Sequence, residues 1–246
     1  MKDRKYIISA ILISSLCIVG SHVFASDNLQ SDTDNIQSTM DNLKRQAEQD
    51  YYKVLAEVNN VNPDSSVSKF GMSVAKKRFE NVVFLGDSIT EYLRTEGILN
   101  ADSVLAKKGE HLYQAKQHIE ELKKIKPAKV VILYGANDLS SDFQATYEDN
   151  YVNLVEEIKK NVPNIKVYLQ APLPVYEKYS MSRNKNINNN NIKIMDEIVK
   201  KVARKTKSTY LTSRDLDTSP KMYEPDGIHF KYDFYKDWLS HLSNEL

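Results

Sequence analysis

From residue 82 onward, short unbroken apolar runs alternate with longer stretches of helical period. Val82–Leu85 is the first run, Ser103–Ala106 a short second, KVVILYG (129–135) a third, IKVYLQAPL (165–173) a fourth and STYLT (208–212) a fifth. Runs so short and so continuously apolar predict strands buried on both faces. The stretches between them carry apolar residues every three or four positions. Glu110–Ile125 places Leu112, Ala115, Ile119, Leu122 and Ile125 on one face, and Phe143–Lys160 does the same with Tyr147, Tyr151, Leu154, Val155 and Ile158. Ile187–Lys205 turns Met195, Ile198, Val199 and Val202 inward, and Tyr232–Leu242 is a last helix. Pro127 and Pro163 mark the breaks before the third and fourth strands. Buried strands alternating with helices predict an α/β fold, a three-layer α/β/α sandwich around a five-stranded, doubly wound parallel sheet.

The first eighty residues follow a different pattern. Lys2, Arg4 and Lys5 precede an apolar run, Ile7–Val19, and HVFAS then sets Val23 and Ala25 where signal peptidase reads, so residues 1–25 are expected to be a signal peptide cleaved after Ala25. The run is shorter than the roughly 20 residues of a membrane span, although an uncleaved anchor is the competing reading. Leu16 precedes Cys17 where lipid attachment would need a small residue. Residues 26–80 read as a polar lead, an amphipathic helix and a linker. Ile36, Met40, Leu43, Ala47, Tyr51, Val54 and Val58 give a helix over 36–58 a single apolar stripe close to coiled-coil spacing. That helix either packs on the main domain, residues 81–246, or contacts a partner. NNVNPDSS (59–66) interrupts the pattern with turn residues.

Composition narrows the function classes. Hydrophobic residues at 41% and charged residues at 27% describe a folded chain with a real core. Loss of residues 1–25 removes three positive charges and one negative, taking the net charge from +1 to −1. No excess of positive charge is then left to attract nucleic acid. The same cleavage removes the only cysteine, which excludes disulfides, cysteine nucleophiles and thiolate metal sites. The mature protein is expected to be secreted or cell-wall associated, with no stable membrane insertion.

Ligands of doubly wound sheets bind outside the carboxyl ends of the strands. The residues that follow each run are therefore the candidates, and they are chemically able. Ser88 follows the first strand in NVVFLGDSIT, Gly109 the second in AKKGEH and Asn137 the third in YGANDL, while Asp226 and His229 lie in EPDGIHF between the fifth strand and the last helix. A serine attacks only when a base takes its proton, and histidine is the usual base near neutral pH. The imidazole in turn needs a carboxylate to set its tautomer. Asp226 lies three residues from His229 across a Pro-Asp-Gly turn. Acyl transfer also needs donors for the oxyanion, and the N–H of Ser88, the N–H of Gly109 and the Asn137 amide would supply three. Each piece alone has a plain structural reading. Asp87-Ser88 and Asn137-Asp138 suit helix caps, and Gly109 and Asp226-Gly227 suit turns. Their arrival in order, each at a strand end, is what favours chemistry.

FLGDSIT, Gly109, YGAND and DGIHF resemble the four blocks of the SGNH hydrolases, also called GDSL-type esterases. The resemblance covers about residues 80–246, with Ile89 standing where the GDSL name has leucine and Ala136 at a variable position. It implies the flavodoxin-like SGNH hydrolase fold and ester hydrolysis by Ser88, His229 and Asp226 through an acyl-enzyme. It implies an oxyanion hole of Ser88, Gly109 and Asn137.

The expected substrate is a short acyl group, acetyl first, on an extracellular carbohydrate or cell-wall polymer, because the loops after the first three strands are too short to form a lid over a long chain. Tyr176, Tyr179 and Arg183, in the long segment 172–191, are candidate sugar contacts, against the alternative that this Asn-rich stretch is a disordered surface loop. Two alternatives stand beside ester hydrolysis: acyl transfer to a glycan hydroxyl by the same triad, and a non-catalytic wall-binding or adaptor protein using helix 36–58, against which the intact Ser88, Asp226 and His229 argue. The chain has no Gly-x-Ser-x-Gly elbow, P-loop, dinucleotide glycine pattern or His-Glu-x-x-His site. No cofactor is called for. A divalent ion on Asp87, Asp226 and His229 would leave Ser88 and Asn137 without a role, so no metal is expected.

Overall fold

A computed structural model of the protein describes residues 36, 37, 39, 40, 42, 43, 72–140 and 142–246. The signal peptide, the polar lead, most of helix 36–58 and the break at 59–66 lie outside the described residues. The chain divides into two compact units, Met1–Asn62 and Pro63–Leu246. In the first, Ile36, Gln37, Thr39, Met40, Asn42 and Leu43 are helical. Among the described residues no helix is long and apolar enough to cross a membrane.

The second unit is built on five parallel strands, β1 (Val82–Gly86), β2 (Val104–Ala106), β3 (Lys129–Leu133), β4 (Lys166–Gln170) and β5 (Thr209–Leu211). Their order across the sheet is β2-β1-β3-β4-β5, the flavodoxin-like order whose switch point lies between β1 and β3. Gly86 is level with Ala106 on one side and Leu133 on the other, so the carboxyl ends of these three strands form one rim.

Among the described residues the second unit has seven helices: α1 (Met72–Arg78), α2 (Ser88–Thr95), α3 (Ile119–Ile125), α4 (Gln144–Asn161), α5 (Glu177–Arg183), α6 (Asn189–Thr206) and α7 (Tyr232–Glu245). Successive strand residues feed opposite faces, as the pleat requires. Val83, Leu85, Val130 and Ile132 pack with Leu122 of α3, Leu154 of α4 and Val199 of α6. Val82, Phe84, Val131 and Leu133 pack with Ala75 of α1, Leu93 of α2 and Trp238 of α7. Two cores, one on each side of the sheet, make the three layers that the hydrophobic pattern predicts.

The elements depart from that pattern in three places. The helix expected over Glu110–Ile125 begins as a 3₁₀ segment, Leu112–His118, and only α3 is α-helical. Leu112 and Ala115, both buried, are three residues apart, the spacing that a 3₁₀ turn aligns. Two short helices, α1 and α2, carry too few apolar positions for their period to stand out. The segment 172–191 is neither a disordered loop nor a structureless one: it contains α5 and is tied together by its asparagines. The Asn189 side chain donates to the Val175 carbonyl and accepts from the Val175 N–H, both at 2.9 Å. Asn188 accepts from the Asn191 N–H at 2.9 Å, capping α6, and Asn191 donates to the Asn186 carbonyl at 2.8 Å. A short side chain with both a donor and an acceptor stands in for backbone here.

Candidate active site

Strand β1 ends on Gly86, where any side chain would collide: a Cβ would lie 2.1 Å from Thr90 Oγ1 and 2.5 Å from the Leu133 carbonyl oxygen. The missing side chain lets the first turn of α2 close against the end of β3. Asp87 then caps α2, its Oδ1 accepting from the Ile89 N–H at 3.0 Å. Ser88 follows as the first residue of the helix, and its N–H makes no hydrogen bond among the described residues. Burial pushes the Asp87 carboxyl up to about 7, against the lowering effect of the Ile89 N–H and with a further rise from Asp138.

Asp226 and His229 reach the same place from the far end of the chain. They do not follow β5 directly, since the segment 212–225 intervenes. They sit in a narrow loop closed by the Glu224 N–H to His229 carbonyl bond at 2.9 Å and by the bridge between Tyr223 and Phe230. Asp226 Oδ1 accepts from the N–H groups of Ile228 and His229, both at 2.9 Å, leaving Oδ2 to face His229 Nδ1 at 2.6 Å. Burial raises the Asp226 carboxyl, but those bonds outweigh it and hold the group below its ordinary value. An ionised Asp226 requires the proton on Nδ1. Nε2 is then the acceptor of the Ser88 hydroxyl, 2.9 Å away. Residues 141 positions apart therefore form one hydrogen-bonded line, Ser88–His229–Asp226. Such a line can lift the proton off a serine.

The loop is held from outside by α5. Gly227 has φ +72, and its carbonyl accepts from the Tyr176 N–H at 2.8 Å. Tyr176 also stacks edge-on to Tyr179, which is 40% exposed beside the loop. Arg183 is exposed in the last turn of α5, and among the described residues no hydrogen bond or ion pair ties it to Ser88, Asp226 or His229. Of the three candidate sugar contacts, the two tyrosines adjoin the loop and the arginine makes no such link.

Across the rim, Gly109 sits in the turn closed by the Glu110 N–H to Lys107 carbonyl bond, exposed, with its own N–H unbonded among the described residues. Asn137 lies in the 3₁₀ turn Ala136–Asp138 after β3. One Nδ2 hydrogen is directed at the Glu110 carbonyl at 3.1 Å, while the contact to Asp87 Oδ2 is a long 3.5 Å. The second hydrogen is thus weakly held and free to serve a ligand. Asp138 accepts from the Leu112 N–H at 3.0 Å and ties the β3 turn to the 3₁₀ segment; burial raises its carboxyl, opposed by Leu112 and His111. Glu110 escapes sequence reasoning, since it stands in a polar run that looks solvated, and Asp138 enters that reasoning only as part of a helix cap. Asp87, Asp226 and His229 form no three-ligand group, and among the described residues no such His, Cys, Asp or Glu group exists.

A narrow apolar cavity of about 20 Å³ lies under this rim, lined by Asp87, Ile89, Leu133, Pro172, Ile192 and Ile228 among others. Asp87 and Ile89 flank Ser88, and Ile228 precedes His229. The space suits one water-sized or methyl-sized group.

Residues 83–236 match the GDSL-like Lipase/Acylhydrolase family. The chain belongs to that family. Its members hydrolyse esters, and this acylhydrolase is an enzyme of that kind. Solved structures agree on the fold. A lipase/acylhydrolase from Enterococcus faecalis is 20% identical, with 67% of this chain and 93% of that one covered at a TM-score of 0.52. A GDSL-like lipase from Bacteroides thetaiotaomicron is 20% identical, with 71% and 98% covered at 0.54. No curated protein matches the sequence.

Proposed function

We propose that this acylhydrolase is a secreted serine esterase that removes a short acyl group, acetyl first, from an extracellular carbohydrate or cell-wall polymer. The observation that carries the reading is the Ser88–His229–Asp226 line, with Oγ to Nε2 at 2.9 Å and Nδ1 to Oδ2 at 2.6 Å. His229 takes the Ser88 proton as Oγ attacks the ester carbonyl carbon. The oxyanion is received by the N–H groups of Ser88 and Gly109 and by the free hydrogen of the Asn137 amide. His229 then returns its proton to the departing alkoxide, and an acyl-serine remains. A water, deprotonated by the same imidazole, attacks the acyl carbon, and collapse of the second oxyanion releases the acid and restores Ser88. Asp226 stabilises the imidazolium throughout. Each oxyanion donor is worth roughly 3–4 kcal/mol of barrier.

Three further observations support the finer parts of this reading. A cavity of about 20 Å³, lined by Asp87, Ile89 and Ile228, the chain neighbours of Ser88 and His229, has room for an acetyl methyl. Tyr179, 40% exposed beside the Asp226–His229 loop, offers an aromatic face to a sugar, and Tyr176, packed against Tyr179 and Tyr223, backs it. Residues 1–25 carry the positive start, apolar run and small-residue site of a signal peptide.

The test is hydrolysis of p-nitrophenyl acetate, butyrate and octanoate by the chain without residues 1–25, beside its Ser88→Ala variant and with fluorophosphonate labelling of both. Acetate turnover and labelling are expected, and both vanish in Ser88→Ala. Labelling that survives the substitution, or no turnover and no labelling of the parent, overturns the serine mechanism. A preference for octanoate overturns the short-acyl assignment alone.

A further inference from the structure

Glu110 is a carboxylate that the reaction above does not use, yet its side chain is only 1% exposed. Burying such a group is costly unless every lone pair finds a donor. Here three side chains converge on it. The Tyr134 hydroxyl donates at 2.7 Å, Gln117 Nε2 donates at 2.8 Å, and His118 Nε2 lies 3.0 Å from both oxygens. Tyr134 follows the end of β3, and its hydroxyl is pushed far up by burial and by Glu110, so it remains a donor. A purely structural filler would need none of this, since an apolar side chain of similar volume packs as well in a core.

The placement of Glu110 in the backbone gives the network its meaning. Its main chain directly follows Gly109, and its carbonyl oxygen accepts from Asn137 Nδ2 at 3.1 Å. One residue thus adjoins two of the three oxyanion donors. The carbonyl that orients the Asn137 amide is anchored by a side chain locked to β3 and to the 3₁₀ segment Leu112–His118. We infer that Glu110, held by Tyr134, Gln117 and His118, is a positioning residue that sets the Gly109 N–H and the Asn137 amide for the oxyanion; this rests on the esterase reading above. It touches no substrate itself. Its effect is confined to the transition state, where the donors must meet an oxygen that has moved from its ground-state place.

The experiment compares the full-length chain with its Glu110→Ala, Glu110→Gln and Tyr134→Phe variants on p-nitrophenyl acetate, with unfolding in urea measured for each. Glu110→Ala is expected to lower kcat by about 10- to 100-fold while KM stays within about two-fold, the signature of displaced donors. Glu110→Gln keeps an acceptor for Tyr134 and recovers part of the loss. Tyr134→Phe falls in the same direction. Asn137→Ala added to Glu110→Ala costs less than Asn137→Ala alone, because the amide is already misplaced. Should Glu110→Ala fail to fold, Glu110→Gln and Tyr134→Phe decide. Folded variants with the parent's kcat overturn the inference, as does full multiplication of the Glu110 and Asn137 effects. In either case an active parent leaves the esterase reading standing. An inactive, unlabelled parent overturns both.

Discussion

Asp226→Asn tests the site through a single atom. Asp226 Oδ1 accepts from two backbone N–H groups at 2.9 Å, and Oδ2 faces His229 Nδ1. Asparagine has one oxygen and one NH₂ to place in those two positions. Turning the NH₂ toward the backbone would strand two N–H donors, at about 1–3 kcal/mol each, so the oxygen takes the Oδ1 position. The amide nitrogen then donates to Nδ1, which forces the imidazole proton onto Nε2. Ser88 loses its acceptor and becomes one itself. The comparable tautomer error in a serine protease costs about 10⁴ in kcat, or roughly 5.5 kcal/mol of barrier, and a loss of that order is expected here. The backbone bonds survive, so the urea midpoint is expected to move by no more than about 1 kcal/mol equivalent. The assay is kcat and KM on p-nitrophenyl acetate near pH 7.5, with the rate of fluorophosphonate labelling as an independent readout. A folded variant that keeps more than about one-tenth of the parent's kcat refutes the reasoning.

Asp87→Asn is expected to change how stability responds to pH. A carboxyl raised from 3.8 to about 7 keeps its proton in the folded state alone between those values, so the contribution of Asp87 to stability is fully present below pH 4 and is lost as pH rises through about 7. At about 1.4 kcal/mol per pH unit this is on the order of 4 kcal/mol over the whole window, and unfolding free energies from urea at pH 5 and 8, which span about two units of it, should differ in the parent by roughly 3 kcal/mol more than in the variant. Equal drift in both chains would show that Asp87 does not titrate there. Gly227→Ala is expected to cost at least about 2 kcal/mol of stability and to lower kcat, since its φ of +72 is strained for alanine and the Cβ would lie 2.5 Å from the Tyr176 carbonyl oxygen. An alanine variant as stable and active as the parent would contradict the described packing of α5 on the loop.

The fold was legible where burial was uniform. Val82–Leu85 and Val130–Leu133 are apolar at every position because helices cover both faces of the sheet, and their shortness separates such runs from a buried helix. The long helices α4 and α6 were legible because eighteen residues give their stripe several repeats. Short elements were not. In α5 seven residues leave one buried position, Ser180, which no hydrophobic count would single out. The asparagines of 184–191 read as disorder because composition records polarity and not partners. The candidate site residues Ser88, Gly109 and Asn137 could be picked out because the strand ends could be located, whereas Asp226 and His229 lie beyond the segment 212–225 and were picked out by their own turn. Glu110 was hidden because its burial is made by Tyr134, twenty-four residues away, and KKGEHL looks like any solvated run.

The two halves of the site are therefore built differently, and they should fail differently. Asp226 and His229 are placed mainly by main-chain bonds: Glu224 to His229, Tyr176 to Gly227, and two N–H groups into one carboxylate oxygen. Backbone geometry is indifferent to most side-chain changes nearby, so substitutions in that loop act chiefly through the residue replaced or through a glycine that cannot carry a Cβ. The proposed oxyanion side is placed by side chains: Asn137 on the Glu110 carbonyl, Asp138 on the Leu112 N–H, and Glu110 on Tyr134, Gln117 and His118. There a change several residues from any reacting atom propagates along the hydrogen bonds. Conservative exchanges around 110–118 and 134–138 should lower kcat without touching the nucleophile, whereas equally conservative exchanges flanking the 223–230 loop should leave it intact.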